Sequence, residues 1–186
     1  MTVIGDDGQP RCGWATSAPE YIAYHDNEWG KEIRDDRGLF ERLTLEAFQS
    51  GLSWITILRK RENFRTAFAH FDPEVIAKFG SDDFDRLMAD PGIVRNRLKI
   101  NATISNARAL LELDDGALTD LLWSFQPSKQ KAPKTLGDVP ATTPESVAMS
   151  KALKKSGFVF VGPTTAYALM QATGIVNDHL ATCIAR

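Results

Sequence analysis

Two cysteines, Cys12 and Cys183, and three histidines, His25, His70 and His179, are the whole thiol and imidazole inventory of the 186-residue chain. His179 and Cys183 lie four positions apart, and a helix there would place both on one face, one turn apart. Zinc favours tetrahedral nitrogen and sulfur ligands, and Cys12 and His25 would complete a Cys2His2 set that uses both thiols. Spacing alone leaves the alternative open, a buried cysteine beside a helix-capping histidine, because the gap from Cys12 to His25 is not a finger spacing. With four protein ligands no position remains for a catalytic water, so the metal would be structural, tying the N-terminal segment to the last helix. His70, within AHFDP, reads as a surface or packing residue.

Aromatic residues form the second group with chemistry to offer. Trp14, Tyr21, Tyr24, Trp29 and Trp54 all fall in the first third of the chain. Core packing is the usual fate of such residues. The alternative is a stacking pocket for a nucleobase, best suited to a cationic one, because aromatic faces attract cations. Glu46 lies among Leu45, Ala47 and Phe48 in LTLEAFQSGLSW. It is either a solvated helix glutamate or a carboxylate aimed into that pocket, where it would read the amino and ring N–H donors of a purine.

Helical signals dominate the elements that must position these groups. Asp35 and Asp36 precede an apolar series of Leu39, Phe40, Leu43 and Phe48, with Gly51 as a break. Ser53 is a candidate cap for a helix carrying Trp54, Ile57 and Leu58. Asp72-Pro73 reads as N-cap followed by proline at the first helical position, and Ser81 as the cap of a short helix through Leu87. A longer helix is predicted from Arg95 to Leu113. The segment 126–144, rich in Pro, Lys and Thr, reads as a connection between two helical lobes of one domain spanning 1–186. Thr143-Pro144 opens a helix to about Ser156, Gly157–Gly162 forms a hairpin, and Pro163 opens a helix ending near Gly174. A last helix is expected to hold His179 and Cys183. With no convincing pair of alternating strands, the fold class is all-α.

Composition bounds the function. The net charge of −2 does not itself point to nucleic acid. Residues 1–91 carry 11 basic and 17 acidic side chains and residues 92–186 carry 11 and 7, so the second half is positive by 4. That half could follow a phosphate backbone, or the imbalance could be ordinary scatter. No apolar run reaches the roughly 18 residues of a transmembrane helix, and MTVIGDDGQPRCGW lacks the basic and apolar regions of a signal peptide. The expectation is a cytoplasmic protein with no membrane partner.

The segments RCGW (11–14), YIAYHDNEWG (21–30), LTLEAFQSGLSWITILRKRENFRTAF (43–68), GIVRNRLKI (92–100), SKALKKSGFVFVG (150–162) and GIVNDH (174–179) resemble those of the DNA-3-methyladenine glycosylase I family, within the helix-hairpin-helix glycosylases. The resemblance implies a helical glycosylase domain with its ends joined by one structural Zn2+ on Cys12, His25, His179 and Cys183. It implies Glu46 as the catalytic and recognition carboxylate, with Tyr24 and Trp54 against the base and Trp14, Tyr21 and Trp29 as further lining. Gly157 and Gly162 of the hairpin, with Lys154 and Lys155, would anchor the DNA backbone, and Leu52 would probe the gap left by a flipped nucleotide. Implied partners are double-stranded alkylated DNA and free 3-methyladenine as product, handled by a monomer without lyase activity. Other superfamily members often place a catalytic aspartate just after the second hairpin helix. Here Asn177 stands at that place, and Asp178, beside His179, is not assigned the role.

Overall fold

A computed structural model describes residues 1–186. Nine α-helices carry the fold: α1 (Pro19–Asn27), α2 (Asp36–Gln49), α3 (Trp54–Ala67), α4 (Pro73–Ile76), α5 (Ser81–Ala89), α6 (Arg97–Leu111), α7 (Ala117–Trp123), α8 (Pro144–Lys155) and α9 (Pro163–Ala172). The chain is mostly helical, as its patterning predicts. One departure is an antiparallel ribbon of two three-residue strands, β1 (Thr2–Ile4) and β2 (Pro10–Cys12), with Thr2 opposite Cys12. Strands this short show no alternation, and the Asp7-Gly8 turn between them is their one local signal.

Helix α2 is the axis of the molecule. Asp35 caps it by accepting the Gly38 N–H at 2.7 Å, which offsets one of the unpaired amides of the first turn. Leu39, Phe40, Leu43, Leu45 and Phe48 are all fully buried, so the helix is covered on nearly every side, with α3, α6, α7 and α9 around it. A run of rings from Phe48 through Phe64 and Phe68 to Phe71 fills the space between α2, α3 and the turn that follows. Burying each ring contributes roughly 1.5–3 kcal/mol. Asp36 also links distant segments, since its carboxylate accepts the N–H groups of Gly116 and Thr119 at the start of α7.

The caps read from the sequence are present at Asp72, whose carboxylate accepts from Glu74 and Val75, and at Thr143, which accepts from Ser146. Ser53 precedes α3, but its hydroxyl pairs with Thr56 Oγ1 rather than with a backbone amide. Ser81 is the first residue of α5, and Gly80 precedes it as N-cap. Helices α1 and α7 are additional to the expected set, although Pro19 at the first position of α1, with Glu20 after it, is a start signal of the same kind as Pro73 and Pro144.

The expected last helix is absent. Residues 173–186 descend in turns, because their amides bond elsewhere. Leu180 N–H donates to Cys12 Sγ, Ala181 N–H to the Pro133 carbonyl and Ile184 N–H to the Pro10 carbonyl. The C-terminal segment is thereby sewn to β2 and to the 126–144 connection. Cys12, Leu180 and Cys183 make a small apolar cluster separate from the 32-residue main core. No helix is long and apolar enough to cross a membrane.

Candidate active site and metal cluster

Cys12 at the end of β2, His25 in α1, and His179 and Cys183 in the C-terminal turns converge, with their ligand atoms all within 4.8 Å of one another and all four residues buried. The sequence pairing is therefore realised without the helix that suggested it. His25 Nε2 lies 3.2 Å from His179 Nδ1, and Cys183 Sγ lies 3.4 Å from the first and 3.7 Å from the second. Cys12 Sγ is 3.9 Å from His179 Nδ1. Metal–ligand lengths of about 2.05 Å to nitrogen and 2.3 Å to sulfur, at tetrahedral angles, require separations of about 3.3 Å between nitrogens and 3.6 Å between nitrogen and sulfur. The observed set fits a tetrahedral ion.

Proton placement supports the fit. His179 Nε2–H donates to the Trp29 carbonyl at 3.0 Å, and His25 Nδ1–H donates to Asp26 at 2.7 Å. Each ring then turns a bare nitrogen toward the other, an arrangement that a cation between them would stabilise. Asp26 is held in turn by Arg11, with Nε at 3.0 Å and Nη2 at 2.8 Å. A carboxylate behind a ligating imidazole fixes its tautomer and raises its basicity. Asp26 directly follows His25, a signal the sequence analysis passed over. Gly30, at φ 78°, is needed for close approach, because a Cβ there would sit 3.1 Å from His179 Nε2. Burial pushes the Cys12 thiol up to about 12 and the His179 imidazole down to about 4.

Beside this cluster opens a cavity of about 370 Å3 lined by Trp14, Ser17, Tyr21, Tyr24, Trp29, Glu46, Gln49, Trp54, Ala168 and Gln171. All five aromatics singled out in the sequence share this one space with Glu46. Trp14 meets Tyr21 and Trp29 edge-on, at ring distances of 5.5 and 5.1 Å. Tyr24 and Trp54 lie 5.4 Å apart. The Trp54 indole N–H is buried without a partner.

Glu46 is 6% exposed. Burial pushes its carboxyl up to about 7, opposed by the charge of Arg42, and no protein group hydrogen-bonds to it. Arg42 stands one helical turn earlier, is itself buried, and donates to Tyr24 Oη at 3.1 Å. Its guanidinium lies 5.5 Å from the Tyr24 ring centre and 5.7 Å from that of Trp54. Like Asp26, Arg42 was not among the expected site residues, although its spacing of four from Glu46 is visible in the sequence.

Leu52 lies outside the cavity, 39% exposed on the turn between α2 and α3. Gly157 and Gly162 bracket the hairpin between α8 and α9, and Lys151, Lys154 and Lys155 are exposed beside it. Asn106 of α6 holds the hairpin by exchanging hydrogen bonds with both the N–H and the carbonyl of Val159. His70 is exposed. Asp178 is 5% exposed and does not line the cavity. Its carboxylate accepts from Tyr167 Oη at 2.6 Å and from Gln130 and Gln171 at 2.9 Å.

The molecule is thus a helical protein with an aromatic cavity, an acid in its wall, and a Cys/His cluster joining its two ends that could hold a metal ion. The methyladenine glycosylase family model matches residues 14–186, and the chain belongs to that family. It is 51% identical over 178 residues to DNA-3-methyladenine glycosylase 1 of Escherichia coli, covering 93% of this chain and 95% of that protein. A crystal structure of a 3-methyladenine DNA glycosylase I superposes with a TM-score of 0.90 at 49% identity, over 95% of this chain and 99% of the other. The Staphylococcus aureus glycosylase I, described for its recognition of 3-methyladenine, superposes with a TM-score of 0.88 at 36% identity, over 94% and 95% of the two chains.

Proposed function

We propose that this protein is a DNA repair N-glycosylase that excises 3-methyladenine from alkylated double-stranded DNA. The observation that carries the reading is the buried Glu46 carboxylate, without a protein donor, in the wall of an aromatic cavity of about 370 Å3. A buried carboxylate needs a partner, and a cationic purine supplies both charge and N–H donors. The flipped base stacks against Tyr24 and Trp54, with Trp14, Tyr21 and Trp29 as lining. Glu46 favours the methylated base over neutral adenine.

The chemistry asks little of an acid. The C1′–N9 bond breaks with its electron pair moving to the base, which leaves as neutral 3-methyladenine. Water adds its oxygen to C1′ and loses a proton to solvent, leaving an abasic site. No lysine Schiff base is involved, so the strand stays intact. The cluster binds Zn2+, whose role is structural because four protein ligands fill its shell. The chain acts as one domain of two helical lobes connected near 126–144. It works as a monomer in the cytoplasm, a reducing compartment suited to its two free cysteines.

DNA is gripped through the hairpin and the start of α9, where backbone amides at a helix N-terminus favour phosphate and the neighbouring lysines add sequence-independent attraction. Leu52 enters the gap left by the flipped nucleotide. The test is release of free 3-methyladenine from methylated duplex, measured together with strand integrity. Release without nicking is expected. Tight duplex binding with no base release would make the protein a DNA-binding module instead.

A further inference from the structure

Lys99 is a buried lysine that base recognition does not use. It sits in the first turn of α6 with 6% of its surface exposed. Its ammonium donates to the Phe48 carbonyl at 2.7 Å and to the Ser50 carbonyl at 2.6 Å. These are carbonyls at the C-terminal end of α2, the helix that carries Glu46 and Gln49 into the cavity. The turn they begin, 50–53, carries exposed Leu52 and leads straight into Trp54. Gln49 braces the same turn by donating to the Leu52 carbonyl at 2.8 Å.

The placement is unfavourable for α6 and favourable for α2. A cation at the first turn of its own helix opposes the helix dipole, whereas a cation on the last carbonyls of another helix complements it. Burial also pulls the Lys99 pKa down, so holding the ammonium here has a cost that its two carbonyls offset. Charge-assisted hydrogen bonds are short and strong, and this pair fixes a segment whose Gly51 adopts φ 80°.

We propose that Lys99 is a positioning residue for the duplex step: from α6 it clamps the end of α2, so that the 50–53 turn stands rigidly poised against DNA. This rests on the reading of Leu52 as the group that enters the DNA stack. It separates two events that share one helix, base binding at Glu46 and helix opening at the turn. A misplaced positioning group can cost a large factor in rate, even where the cavity is untouched.

The experiment compares Lys99→Met, Lys99→Gln, Lys99→Arg and Leu52→Ala with the wild-type chain. Two quantities are read: affinity for free 3-methyladenine, and the maximal single-turnover rate on methylated duplex. Lys99→Met should bind the free base within about twofold of wild type and excise from duplex about tenfold or more slowly. Lys99→Gln, which keeps one donor and removes the buried charge, provides the same comparison if the methionine protein folds poorly. Lys99→Arg, keeping charge and donors, should recover most of the rate. If base affinity and duplex rate fall together, Lys99 is general core support and the proposal is overturned. It is also overturned if the Lys99 variants excise normally while Leu52→Ala is impaired. A Leu52→Ala protein with wild-type excision would instead refute the reading of the turn on which the proposal rests.

Discussion

Glu46 is a carboxylate that the fold holds against its own stability. Moving its pKa from 4.5 to about 7 corresponds to about 3 kcal/mol when the group is ionised. The pKa is raised in the folded state, so this cost is absent below about pH 4.5. It grows as the pH rises and is complete above about 7. The proposed function needs the reverse, because only the anion attracts a cationic base. The kcat/KM on methylated duplex should therefore fall as the pH drops through about 7, with the slope of a single proton. Glu46→Gln should lose excision while its melting temperature at pH 8 rises, by the equivalent of about 1–3 kcal/mol. An active glutamine variant would remove Glu46 from the mechanism. Arg42 opposes the burial effect, and Glu28 and Arg61, paired with each other, act on the neighbouring Tyr24. Arg42→Met should move the acid limb to higher pH, whereas Arg42→Lys should move it less. A limb that stays in place in Arg42→Met would show that another group sets it.

At the scale of elements, the hairpin between α8 and α9 gives the clearest test of a glycine. Gly162 has φ −87° and ψ 169°, and no atom lies within 4 Å of where its Cβ would be. The fold does not need glycine there, so any requirement for it comes from outside the protein. Gly162→Val should fold with a stability change within about 1 kcal/mol yet bind duplex more weakly. Unaltered duplex affinity in that variant would remove the hairpin from the DNA contact. Binding should also weaken linearly on a logarithmic salt scale, because each neutralised phosphate releases counterions. Much of this scaffold was legible: the caps at Asp35, Asp72 and Thr143 and the apolar face of α2 locate helices by local physics. The β1–β2 ribbon was not, since its strands are too short to alternate. Nor was the irregular path of 173–186, where distant carbonyls of Pro10 and Pro133 outcompete helical bonding. Spacing of four between His179 and Cys183 led to the right pairing through the wrong element. Of the site itself, the residue types were visible; Arg42 and Asp26 carried local signals, four residues before Glu46 and next to His25, whereas Lys99 emerges only when separate helices meet.

For the whole molecule, the cluster of Cys12, His25, His179 and Cys183 links two regions that the main core does not reach. The 32 residues of that core run from Leu39 to Val176, and the ribbon with Trp14 lies outside it. With zinc held there as proposed, stripping it should therefore leave the helical far-ultraviolet signal nearly intact. Its effect should appear in the base cavity, because the cluster also supports the aromatic wall. The Trp14 ring is 5.1 Å from the His25 ring, and the Trp29 ring is 4.7 Å from the His179 ring, while the Trp29 carbonyl accepts the His179 N–H. Freed ends would let Trp14 and Trp29 move, and stacking contributes about 1–3 kcal/mol per base. Chelation, or Cys183→Ser, should thus lower affinity for free 3-methyladenine about tenfold and open residues 1–16 to proteolysis ahead of the rest. One equivalent of zinc should restore the chelated protein. The binding free energy of a structural zinc in small peptides is on the order of 10 kcal/mol, but a domain with a separate core should depend on it less for folding. Unchanged base affinity after complete metal removal would show that the clip and the cavity are independent, and global unfolding would show that the core is not self-sufficient.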